Sequence, residues 1–116
     1  MKKLLIMAAL LALAWNVSCS GDSEEDLFGA PDCSIPVSPS ADILPLLQNN
    51  CALSGCHTGG TGLPNFAEKQ TVLTYADEIR RRTREGSMPP PNSGVSLTRE
   101  EINLITCWVD QGKKDN

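Results

Sequence analysis

The sequence has 116 residues, with 14 Asp and Glu against 10 Lys and Arg and a single histidine. That acidic balance excludes the basic face which nucleic-acid binding needs, and the length allows one domain and no more. Two Trp, two Phe and one Tyr are few large side chains for a chain this short, so something beyond the polypeptide is expected to help fill its core.

The chain opens with Met1-Lys2-Lys3, an apolar run from Leu4 to Trp15, and small residues leading to Cys19. This is the pattern of a secretory signal, too short and wrongly flanked for a bilayer-spanning helix. Residues 1–18 read as the signal peptide. Val17-Ser18-Cys19 resembles the lipobox of bacterial lipoproteins, although Asn16 stands where Leu is usual. Lipidation of Cys19 is therefore expected, with simple cleavage and a stray thiol as the plainer possibility. Loss of Lys2 and Lys3 leaves 8 basic residues against 14 acidic ones, a net charge of −6. Residues 19–40 are rich in Ser, Pro, Gly and acid and lack a helical period, so they read as an acidic tether that becomes ordered near Cys33. The folded domain is expected over 41–116, in an exported protein of the periplasm or cell envelope that meets the membrane through its lipid anchor only.

The domain reads as three short helices. Asp42 is positioned to cap the first, with Pro45 in its opening turn, and Ile43, Leu44, Leu46 and Leu47 form an apolar flank leading to Cys51. The second is expected from about Ala67 to Glu85, with Asn65 and Glu68 spaced as a variant capping box. Its buried stripe is Val72, Ala76, Ile79 and Thr83, and Gly86 is its stop. The third begins with Thr98 as cap and Glu101 completing a capping box. Ile102, Ile105, Trp108 and Val109 form its buried face, and Gly112 ends it. No stretch alternates with period two, so the fold class is all-α.

Between the helices lie two contrasting loops. A glycine-rich one runs from Cys56 to Asn65, and a proline-rich one from Ser87 to Ser96 carries Met88 before three prolines. The first loop is entered through Cys51-Ala-Leu-Ser-Gly-Cys56-His57. A haem c attachment signature has two residues between its cysteines, whereas this one has four. The Cys56-His57 adjacency, which fixes the second thioether relative to the iron ligand, is intact. Ser54-Gly55 can take up the extra length in a turn, at a closure cost well under ~1 kcal/mol. After export, His57 is the sole histidine and Met88 the sole methionine. One imidazole nitrogen and one thioether sulfur on haem iron is the ligation of electron-transfer cytochromes c. The plainer roles are a surface imidazole and a packed methionine, but His57 directly follows a cysteine pair and Met88 sits in a polar loop.

The segments ILPLLQNNCALSGCH, LPNF, SMPP and LTREEINLITCWVDQG together resemble a small class I c-type cytochrome, of the lipid-anchored type of Gram-negative bacteria. The resemblance runs from about Ile43 to Gly112 and implies a cytochrome c-like fold, three main helices around one covalently attached haem c. It implies that Cys51 and Cys56 bear the haem, that His57 and Met88 ligate its iron, and that Trp108 packs the last helix on the first. Pro64 resembles the proline whose carbonyl orients the proximal imidazole. The implied function is single-electron transfer between exported or membrane redox partners, with no catalysis.

Cys33 and Cys107 remain once one cysteine is given to lipid and two to haem, and an exported chain sits where disulfides persist, so a Cys33–Cys107 bridge is expected. The cluster Arg80, Arg81, Arg82 and Arg84 reads as a solvated helix face, with pairing to haem propionates or a partner as the sharper option. Three other readings compete with the electron carrier. One is a haem-free structural or binding lipoprotein stapled by Cys51–Cys56 and Cys33–Cys107 disulfides. Another is a zinc site built on Cys51, Cys56 and His57, which lacks a fourth ligand nearby. The last is a haem sensor or small peroxidase, which would require Met88 to leave the iron.

Overall fold

A computed structural model describes residues 30–116; residues 1–29, which include the signal peptide, Cys19 and most of the tether, lie outside the described residues. The compact unit spans Pro31–Asn116, so the folded domain starts at residue 31 rather than 41. The reason is packing: Val37 and Pro39 are buried, and three backbone groups of this strap bond to one side chain. Gln111 Oε1 accepts from Val37 N at 2.9 Å, while Gln111 Nε2 donates to the carbonyls of Cys33 at 3.0 Å and Ile35 at 2.8 Å.

Among the described residues there is helix and no strand, as the periodicity predicts. The first helix, α1, is Leu44–Asn50, entered through a wide π-type turn at Pro39–Ile43. The side-chain cap belongs to that turn and is Ser38, not Asp42, while α1 itself follows Ile43 with no side-chain cap. The Ser38 hydroxyl accepts from Ala41 N, and Asp42 returns a carboxylate to Ser38 N at 2.8 Å, so Asp42 is the reciprocal half of the cap. The wide turn lies just before Pro45, whose ring clashes with a normally placed carbonyl four residues back and which has no N–H to offer. A turn with i→i−5 bonds, such as Leu44 N to Pro39 O, is a recognised way to carry such an interruption.

The second helix, α2, is Lys69–Arg84. It starts two residues later than the sequence suggests. Asn65 and Glu68 do bond, but side chain to side chain at 3.0 Å, and Asn65 Oδ1 spends its acceptor on Ala67 N, so they build the turn before the helix. The stripe Val72, Ala76, Ile79 and Thr83 is buried, and the Thr83 hydroxyl is satisfied by Ile79 O. The third helix, α3, is Arg99–Asp110, with both halves of the Thr98–Glu101 capping box formed. Its buried residues are Ile105, Thr106, Cys107, Trp108 and Val109, while Ile102 is only half-buried. A single stripe underestimates this helix because it is covered from two sides, by α2 and by the strap with its Pro39–Ile43 turn.

Trp108, Ile43, Leu47, Ile105 and Val72 are fully enclosed and form the centre of the core. Trp108 is the largest of these side chains. Cys33 and Cys107 form a disulfide that closes 74 residues, and Gln111 sits one turn further along α3. Ion pairs Lys69–Asp115, Lys113–Asp77 and Arg80–Asp110, each 2.7 Å, connect α2 to the C-terminus. All are solvent-exposed, so each contributes little.

A small core closed by one long-range covalent link should lean heavily on that link. Replacing both Cys33 and Cys107 by Ser is expected to cost roughly 3 to 5 kcal/mol, read as a lowered urea midpoint with a somewhat steeper slope, because the unbridged unfolded chain exposes more surface. An unchanged midpoint would show that the strap is held by Gln111 and packing alone.

Candidate cofactor site

The Cys51–His57 loop hangs from the C-terminus of α1. Cys51 N and Ala52 N both donate to Leu47 O, at 2.8 and 2.9 Å, which fixes the first cysteine to the helix end. Leu53 to Cys56 then form a tight turn closed by Cys56 N to Leu53 O at 2.9 Å. Gly55 has φ +79°, the left-handed third position of a type II turn. The two extra residues between the cysteines are taken up there. The loop closes where His57 N donates to Cys51 O at 3.1 Å, so the longer spacing still delivers a compact loop.

Cys51 and Cys56 are free thiols, both half-buried, in a chain whose other described cysteines are bridged. Burial, the neighbouring Cys56 and the Glu101 carboxylate push the Cys51 thiol up from 9.0 to about 11. The neutral sulfur is favoured there.

His57 is held at two places. Its Nδ1 lies 3.0 Å from Pro64 O. A carbonyl only accepts, so Nδ1 carries the proton and Nε2 keeps its lone pair. The imidazole also stacks on Phe66, with centroids 4.1 Å apart and planes at 15°. Phe66 N donates to His57 O at 3.1 Å, which pins the end of the glycine-rich loop back to its start. Phe66 in turn meets Tyr75 of α2 edge-on at 6.4 Å.

Met88 begins the second loop at the end of α2. Gly86, with φ +70°, terminates the helix in a Schellman motif: Gly86 N bonds Thr83 O and Ser87 N bonds Arg82 O. Met88 N shares the same Arg82 carbonyl at 3.2 Å. Three prolines follow, so the backbone on both sides of the half-buried Met88 is restricted.

Trp108 is enclosed, and its indole Nε1 has no hydrogen-bond partner among the described residues, an omission that ordinarily costs about 1 to 3 kcal/mol. The arginine cluster is largely neutralised within the helix. Arg81 and Arg82 both bond Glu78, Arg81 also bonds Glu85, and Arg80 pairs with Asp110. The bonds from Arg81 and Arg82 hold the Glu78 carboxyl down at about 2. This is a self-paired solvated face, the plainer of the two readings. Among the described residues no three His, Cys, Asp or Glu side chains are grouped so as to hold a metal ion.

Sequence reasoning assigned Phe66 no role toward His57 and missed the Glu101–Cys51 proximity. Neither carries a spacing signal, since both arise from how loops return to the core. No protein-family model, curated protein or solved structure matches the chain.

The raised Cys51 thiol has a pH consequence with a definite sign. As pH passes 9 the unfolded chain loses its Cys51 proton first, so stability is intact below 9 and falls until the folded thiol ionises near 11. For polypeptide with a free Cys51, unfolding free energy should drop by about 2 to 3 kcal/mol across that window relative to a Cys51→Ser variant. Iodoacetamide should label Cys51 efficiently only toward pH 11. Rapid labelling at pH 8 would contradict the buried thiol, and a sulfur already bonded to carbon would show neither effect.

Proposed function

We propose that the chain is a mono-haem c-type cytochrome that carries single electrons between redox partners of the cell envelope. The observation that carries this reading is the His57 Nδ1 bond to Pro64 O. It commits the only histidine of the sequence to the tautomer that presents Nε2 as a ligand, with its other nitrogen already anchored. Metal-bound imidazoles generally carry such an outer hydrogen bond, which raises their basicity and fixes their orientation.

The other residues fit the same group. Cys51 and Cys56 are unbridged thiols at the two ends of a closed loop, suited to form two thioethers with a haem's vinyl groups. Their state argues against the haem-free staple, which needs them joined. Met88 offers a soft thioether from a loop restrained on both sides, and such sulfur favours Fe(II) over Fe(III) and raises the potential. The unpartnered Trp108 N–H marks an interior short of an acceptor, and haem propionates are a source of acceptors. A bound haem supplies the one-electron couple. The polypeptide's part would be to hold the iron through His57 and Met88, which would leave O₂ no open site, and to keep those side chains still so that changing charge moves few atoms. No bond is made or broken in such a role, so the protein acts as a carrier and not as an enzyme.

Location follows from the sequence rather than from the described residues. A cleaved signal and an acylated Cys19 would tether the carrier to a membrane surface, where an exported donor and acceptor exchange electrons with it.

Produced with a haem c maturation system, the mature chain should be red, show sharp α and β bands on reduction, and keep its colour after denaturation. Its mass should equal polypeptide plus one haem and any lipid. Met88→Ala should lower the reduction potential by a sizeable part of the roughly 0.8 V that axial ligands command and let the reduced protein bind carbon monoxide. A colourless product, or a mass of bare polypeptide plus lipid, would refute the proposal.

A further inference from the structure

A histidine ring attached through Cβ has a soft, roughly two-fold torsion about its last bond. Two separate constraints are needed to aim one ring nitrogen. A hydrogen bond selects which of the two flips is populated, because only one flip puts Nδ1 toward the acceptor. It restrains the tilt of the ring plane weakly, since carbonyl acceptors tolerate a broad range of directions. Something in contact with the ring face must set the plane.

In this chain both constraints are present. Pro64 O takes the Nδ1 proton and so selects the flip. Phe66 lies against the imidazole face at 4.1 Å and 15°. Phe66 is itself well fixed: it is 7% exposed, its N–H is bonded to His57 O, and the Tyr75 ring props it edge-on from α2. Tyr75 belongs to a helix whose nearby positions Val72, Ala76 and Ile79 are core, so the stack is referred to an element packed into the core. Resting on the haem reading above, the geometry points to Phe66 as a positioning residue that sets the plane of the His57 imidazole, and hence the direction of the Nε2 lone pair, with Tyr75 as its outer support.

The orientation of an axial imidazole plane governs how unpaired spin spreads over a low-spin ferric porphyrin. The pattern of haem methyl shifts in the oxidised protein therefore reports that plane together with the orientation of the Met88 thioether, which the variants below leave untouched, and nothing about stability. Three variants of the full mature chain make the test. Phe66→Leu keeps an apolar group of moderate size and removes the flat face. Phe66→Tyr keeps the face. Tyr75→Leu, at a position 41% exposed, removes only the outer support and should fold.

The reduced, diamagnetic protein is read first, and this arm does not require haem. The parent and Phe66→Tyr should show nuclear Overhauser contacts between the His57 ring protons and the aromatic ring at 66, with one sharp set of His57 signals. Phe66→Leu should broaden or multiply those signals, and Tyr75→Leu should do so to a smaller degree. In the oxidised protein, Phe66→Leu should change the order or spread of the haem methyl shifts, Phe66→Tyr should retain the parent pattern, and Tyr75→Leu should lie between. Should Phe66→Leu fail to fold, Tyr75→Leu alone decides. A parent pattern in every folded variant, or no contact between the rings at 57 and 66, overturns the proposal. A chain that holds no haem gives no methyl signals and sinks the carrier reading, while the first arm still decides whether Phe66 orients His57.

Discussion

The bond from His57 N–H to the Cys51 carbonyl is the constraint on which the site depends. It joins the two ends of a seven-residue segment whose cysteine spacing is longer than a haem signature normally allows. Without it, two additional residues would leave Cys56 and His57 free to drift relative to Cys51. With it, the surplus is confined to one tight turn at Leu53–Cys56. The side chains of Cys51, Cys56 and His57 then emerge from a loop whose size is set by its closure, not by its contour length. Closing such a loop costs little entropy.

Both loops of the site are extensions of helix ends. Cys51 continues the last turn of α1 through Leu47 O, and Met88 continues the Schellman end of α2 through Arg82 O. Helix termini have carbonyls to spare, so attaching loop amides to them satisfies the backbone and orients the loop together. The glycine-rich loop has few conformational restraints of its own. It is gathered in by Phe66, which bonds to the backbone of His57 and stacks on its ring. The strap from Cys33 to Val37 serves the opposite face of α3, through the disulfide and Gln111. The core, short of large side chains, is thereby enclosed by loops and crosslinks as much as by helix packing.

What the sequence discloses and what it hides follow a physical division. The Thr98–Glu101 box and the Val72-Ala76-Ile79-Thr83 stripe are legible because each is local, encoded in residues one helical turn apart. The first cap was misplaced because Ser38 and Asp42 close the wide turn between them, and the helix proper follows that turn with no side-chain cap of its own. The wide turn before Pro45 has no signature beyond the proline itself. Gln111 bonding the strap spans more than seventy residues, and nothing in its neighbourhood announces such a partner. The candidate ligands His57 and Met88 stood out through scarcity rather than spacing. The surface on which His57 leans did not, since stacking depends on where a flexible loop returns.

Because Ser87 and Met88 both bond the carbonyl of Arg82, the thioether is geared to α2 rather than suspended from a free loop. A helix turns about 100° and advances about 1.5 Å per residue. One residue gained or lost inside α2 would therefore swing the sulfur a quarter-turn around the helix axis, while the stripe beneath it slipped out of register. Beyond Met88 that gearing ends, and Asn92, Ser93 and Gly94 are exposed. Insertions and deletions in any natural variants should gather at that tip, and the length of α2 should behave as a ruler that lineages cannot freely recalibrate.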